Sequence, residues 1–148
     1  MAHSGVQLEV EDWVRNQWMS GQFGCSFYRD RLPLTSGGVF DFDAVSGDKK
    51  IAASISTSGA KTASGKFGSG KMHKLRADML FLLLAKDPER RLIILTESDM
   101  FDACLKDKAS GRVPPEIEFY LAELSNDLRT KLVLSRGMAS KEVSPRSE

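Results

Sequence analysis

Two short stretches of strict alternation, joined by a turn signal, constrain this chain more than anything else in it. Val39, Asp41, Asp43 and Val45 fall on one side of an extended strand, and Phe40, Phe42 and Ala44 on the other. A few residues on, Ala52, Ser54 and Ser56 oppose Ile51, Ala53 and Ile55. Gly47-Asp48 between them is a favoured two-residue hairpin turn. It pairs Ser46 with Lys49, Asp43 with Ala52 and Asp41 with Ser54. Directly paired residues lie on the same side of a sheet. The expectation is a hairpin with Asp41, Asp43, Ser54 and Ser56 on one face and Phe40, Phe42, Ile51, Ala53 and Ile55 on the other. A slip by one residue would set phenylalanines opposite serines.

The elements around the hairpin follow from periodicity. Val10, Trp13, Val14 and Trp18 predict a helix over 8–20, leaving Glu11, Arg15 and Asn16 for solvent or a site, with Gly21 and Gly24 ending it. Residues 25–31 read as a short strand closed by Pro33. Residues 57–70, rich in Gly, Ser and Lys, read as a mobile loop. A helix over about 71–85 follows, with Leu75, Met79 and Leu82 as its core line and Pro88 beyond it. Arg91–Thr96 is a continuous apolar run that predicts a fully buried strand. A helix over 99–106, a strand over 117–124 and a last helix capped by Ser125 complete the order α-β-β-β-α-β-α-β-α. That pattern predicts one α/β domain over 1–148, a mixed sheet flanked by helices, with a frayed tail at 144–148.

The 148 residues suffice for one buried core. The start, MAHSGVQLEVEDW, has no apolar leader core, and the longest apolar run, Met79–Ala85, is far too short to span a bilayer. A cytoplasmic protein without a membrane partner is expected. Cys25 and Cys104 stand far apart with no CxxC spacing, so both are read as small packing residues rather than zinc ligands. The net charge is +1, but it is unevenly spread: residues 48–91 hold ten basic and four acidic side chains. A basic middle third fits a nucleic-acid footprint, and equally a solvated loop.

The hairpin, with Gly38-Val39-Phe40-Asp41 before its turn and Ala53-Ser54-Ile55-Ser56-Thr57 after it, resembles the PD-(D/E)XK, restriction-endonuclease-like superfamily. The resemblance covers about residues 8–100. Proteins of that superfamily set an Asp on one strand of a hairpin and Glu-x-Lys on the next; the carboxylates hold Mg²⁺ and the Lys supplies charge. The resemblance implies that Asp41 or Asp43 matches the Asp, that Ser54 stands in place of the Glu and Ser56 in place of the Lys, and that Glu11 matches a further acid of the first helix. Asp41 and Asp43 would then be the ligands of any Mg²⁺, which needs several oxygen donors converging on one point. Serine hydroxyls are uncharged, so the motif positions Asp41, Asp43, Ser54, Ser56 and Glu11 imply a degenerate site.

Residues 65–72 also read GxxxxGK, the phosphate-loop spacing, but Met72 stands where the metal-binding Ser or Thr belongs and no strand ends directly before it. The plainer expectation is that Lys61, Lys66, Lys71 and Lys74 meet phosphates of DNA or RNA. His73 could carry a proton, and Asp78 lies at helical spacing from Lys74. Three functional readings stand side by side: a catalytically degenerate nuclease-like domain associated with nucleic acid, a protein-interaction module on the same fold, and an active Mg²⁺-dependent nuclease whose lysine is supplied by Lys71 or Lys74.

Overall fold

The computed structural model describes residues 2–61 and 68–143, and the side chains of 5–61 and 68–136. A helical stretch opens the chain: α1 (Ala2–Trp13), a π-helical turn (Val14–Trp18) and α2 (Met19–Phe23), ended by Gly24 in the left-handed conformation. Strands β1 (Phe27–Pro33), β2 (Val39–Ser46) and β3 (Ile51–Ser56) come next, then α3 (Ser69–Leu84), β4 (Arg90–Leu95), α4 (Ser98–Ala109), β5 (Ile117–Leu121) and α5 (Asn126–Val143). The five strands form one open mixed sheet in sequence order. β1, β2 and β3 are antiparallel neighbours, and β3, β4 and β5 are parallel. The mixed α/β class expected from periodicity is what the chain adopts. Among the described residues no helix is long and apolar enough to cross a membrane.

Two apolar layers hold the helices to the sheet. On one face Met72, Leu75, Met79 and Leu82 of α3 and Met100 and Cys104 of α4 meet Phe42, Ala52, Ile93 and Leu95. On the other, Val10 of α1, Val14 and Leu128 and Leu132 of α5 meet Ala44, Ala53, Leu92 and Ile94. β4 is therefore covered on both faces, which is why its sequence is apolar without alternation. Pro33 is accommodated because β1 is an edge strand. Ser125 Oγ accepts from Leu128 N at 3.3 Å, the cap expected for the last helix.

The hairpin departs from expectation in two ways. Lys49 N does donate to Ser46 O across Gly47-Asp48 at 2.9 Å. The loop nevertheless runs to four residues, because Lys49 adopts a left-handed φ of 65° and Ile51 N donates to Ser46 Oγ at 3.0 Å. The pairs are Ala44 with Ala53 and Val45 with Ala52, a shift of two residues that by itself would preserve the faces. The second departure reverses them. The register of β1 on β2 changes between Tyr28 and Asp30, so β2 carries an extra residue between Phe42 and Val45. Phe40, Phe42 and Val45 consequently all join the α3-side layer. Ser54 and Ser56, paired with Ile93 and Leu95 of that layer, lie on the α3 side as well. Asp41, between Phe40 and Phe42, faces the other way. The expected single face for Asp41, Asp43, Ser54 and Ser56 is thus not formed. Cys25 is exposed rather than packed, whereas Cys104 is buried. The expected mobility of 57–70 and fraying of 144–148 concern segments that fall partly or wholly outside the described residues, as does Lys66.

Candidate functional site

Asp43 stands where β2 and β3 part. Beyond the Ala44–Ala53 pair the two strands no longer form a ladder, and Asp43 Oδ2 accepts from Ile55 N at 2.8 Å in place of a strand partner. Its half-buried carboxylate influences both flanking helices. Burial chiefly, and then Asp43, push the Glu11 carboxyl of α1 above its ordinary range, against the pull of Arg29 and Arg15. Burial likewise raises Asp78 of α3; Lys74 pulls it down, and Asp43 pushes it further up. The charge of Asp43 is thus felt by Glu11 of α1 on one side of the sheet and by Asp78 of α3 on the other.

The cations of this region are specific. Arg15 is only 6% exposed. Its Nη1 lies 3.2 Å from Glu11 Oε2 and donates to Asp43 O at 3.3 Å, while Nη2 binds Asp12. Arg29 Nη1, on β1, is 3.4 Å from the same Glu11 oxygen. Lys74 Nζ is 3.4 Å from Asp78 Oδ2. The Lys74–Asp78 pair was legible from its i,i+4 spacing. Arg15, which the helix periodicity leaves for solvent or a site, is instead buried, and its spacing from Glu11 and Asp12 is the signal for the pairing.

The remaining expected residues are placed as follows. Asp41 is exposed and bound by Arg31 Nε at 2.9 Å, a hydrogen bond that holds its carboxyl below the usual range. It is not drawn into the gap with Asp43. Ser54 is 3% exposed in the α3-side layer, and Ser56 Oγ accepts from Ser58 N at 3.3 Å. Among the described residues no three His, Cys, Asp or Glu side chains are grouped so as to hold a metal ion. At the start of α3, Lys71 Nζ donates to Lys61 O at 3.0 Å, and Met72 is buried, so the eighth position of the phosphate-loop spacing is a core residue. His73, Lys74 and Arg76 are exposed on the same two turns. A cavity of about 530 Å³ runs between α3 and α4, lined by Met72, His73, Arg76, Asp99, Asp102 and Lys106 among others.

A second charged cluster, unforeseen from the sequence, closes the carboxyl ends of β3 and β4. Glu97 accepts from Arg129 Nη1, Arg136 Nη1 and Thr96 Oγ1, each at 2.8 Å. Arg129 also donates to Thr96 O at 2.6 Å, and Arg136 to Thr57 O. Burial opposes the charged form of Glu97, but the Arg129 hydrogen bond, the Arg136 charge and the Thr96 hydroxyl outweigh it and hold the carboxyl below its ordinary value. The cluster ties α5 to the sheet. Comparison of the chain with family models, curated proteins and solved structures finds no match.

Proposed function

We propose that this chain is a nuclease-like domain that associates with nucleic acid without cleaving it. The observation that carries the reading is the gathering of Lys61, Lys71, His73, Lys74 and Arg76 around the first two turns of α3, where Lys74 pairs with Asp78 and Arg76 with Asp107. The positive end of the α3 dipole adds to their field, and phosphate backbones respond to such a surface. A mixed sheet with helices on both faces, and a first-helix Glu that feels a hairpin Asp, are what the PD-(D/E)XK resemblance implies. Ser54 and Ser56 supply no charge. Glu11 is already bound by arginines and Asp43 by a main-chain N–H.

The test is an anisotropy titration with labelled single-stranded DNA, duplex DNA and RNA at several salt concentrations. Binding that weakens steeply with salt is expected, with the log–log slope reduced by about one for each lysine removed in Lys71→Ala and Lys74→Ala. No binding at low salt would favour the protein-interaction module. A second reading has its own observation: Lys74 sits on Asp78, whose carboxyl feels Asp43. Mg²⁺-dependent cleavage that Asp43→Ala and Lys74→Ala each abolish would establish that active form instead.

A further inference from the structure

Two departures from regular backbone meet at one hydrogen bond. The first helical stretch contains the π-helical turn Val14–Trp18, and β2 contains its extra residue beside Asp43. Such irregularities give up regular hydrogen bonding and collect at functional sites. Here Arg15, within the π-helical turn, donates to the carbonyl of Asp43, at the bulge. The same guanidinium binds Glu11 and Asp12. Burying it without partners would be costly; Glu11 and Asp12 lie at ordinary helical spacing, and the bulged strand supplies the third partner, the Asp43 carbonyl. The general alternative for neutralising oxygen donors gathered in this way is a hard divalent cation.

We propose that Arg15 is the resident cation of this site: its guanidinium, fixed by the π-helical turn and the bulge, takes up the oxygen donors of Glu11, Asp12 and the Asp43 main chain and closes the site to divalent metal. The proposal rests on reading Glu11 and Asp43 as the remnant of a nuclease-like site. It makes the degeneracy of that site more than a matter of Ser54 and Ser56, since a protein cation has replaced an exchangeable one. Restoring a Glu and a Lys on β3 would leave the guanidinium in place.

The experiment uses the full chain and Mn²⁺, read by water-proton relaxation and by the melting midpoint. The unaltered protein and Arg15→Lys, which keeps the charge, are expected to show neither Mn²⁺ binding nor a midpoint shift. Arg15→Gln is expected to bind Mn²⁺ and to melt several degrees higher with it, and Glu11→Gln added to that variant is expected to abolish both effects. Mn²⁺ binding by the unaltered chain that Glu11→Gln removes would overturn the proposal. So would a folded Arg15→Gln chain indifferent to Mn²⁺, or an unfolded one that Mn²⁺ cannot refold. The lysines of α3 are untouched in all these variants. Failure of the nucleic-acid titration would therefore sink the functional reading while leaving the Mn²⁺ result to stand alone, and the converse also holds.

Discussion

The two halves of the sheet are built differently. In the parallel half, β3 pairs with β4 and β4 with β5 in unbroken ladders, and Leu92, Ile93, Ile94 and Leu95 are all 0% exposed. In the antiparallel half, β2 is bulged, its ladder with β3 is short, and the helix over it carries a π-helical turn. An extra residue in β4 would break two ladders at once, since β3 and β5 both pair with it along its length. A strand near an open edge can absorb one. The charged clusters differ in the same sense: Glu97 is held ionised by two arginines, whereas Glu11 is pushed towards its neutral form by burial and by Asp43. The regular half supplies cohesion, and the irregular half holds a half-compensated acid group that a purely structural region would be expected to avoid.

The largest effect should come from breaking the regular half. Ile93→Ala is expected to cost about 3–4 kcal/mol, because the site is closed on both faces and cannot collapse around the lost atoms. Calorimetry should show the midpoint falling by roughly 10 °C. Glu97→Gln should cost about 1–2 kcal/mol at neutral pH, discounted for the partial exposure of Arg129 and Arg136. Its pH dependence is the sharper reading. A carboxyl held low in the fold contributes stability that is present above its unfolded value and lost as pH falls through its lowered one. The gap between Glu97→Gln and the unaltered chain should therefore close on acidification.

Glu11 carries the opposite sign. Its raised value means that the ionised form is disfavoured in the fold, so its contribution to stability is present below the unfolded value and lost as pH rises through the raised one. Glu11→Gln should lie within about 0.5 kcal/mol of the unaltered chain at neutral pH, on the stabilising side. That advantage should disappear in acid, and denaturant melts across the carboxylate range would reveal the crossing trends. A marked loss of stability at neutral pH would mean that the Arg15 pair outweighs burial, and the contrast between the halves would fail. The smallest effect belongs to Asp41→Asn. Its ion pair with Arg31 is fully exposed, so no measurable change in melting is expected, nor any in Mn²⁺ response.

Much of this could be read from residue order. Alternation over 39–45 and 51–56 placed two adjacent strands, and the apolar run before Thr96 placed β4. Gly24 and Ser125 marked helix ends where the backbone has them. The site was legible in parts: Glu11 and Asp43 do influence one another, and Lys74 does meet Asp78. What misled was the assumption that period-two alternation persists through β2. A single extra residue leaves Phe42 buried and Phe40 partly buried on the expected side, but it transfers Ser54 and Ser56 to that side of the sheet, away from Asp41. Ser46 and Lys49 lengthened the turn through a side-chain bond and a left-handed backbone that a Gly47-Asp48 signal does not report.

By itself, then, the sequence determined the kinds of elements, their order and which residues are apolar enough to be covered, because these depend on spacings of two to four residues along the chain. Tertiary structure alone decided the position of the bulge, the burial of Arg15 and the pairing of Glu97 with Arg129 and Arg136. The bulge shows in pairs 12 and 17 positions apart, Asp30 with Phe42 and Tyr28 with Val45, and the Arg15–Asp43 and Glu97–arginine contacts join residues 28 to 39 positions apart. Local period carries no information across such separations. A buried charge goes where a partner can be brought to it, and only the packing of α1 and α5 against the sheet determines which partner that is.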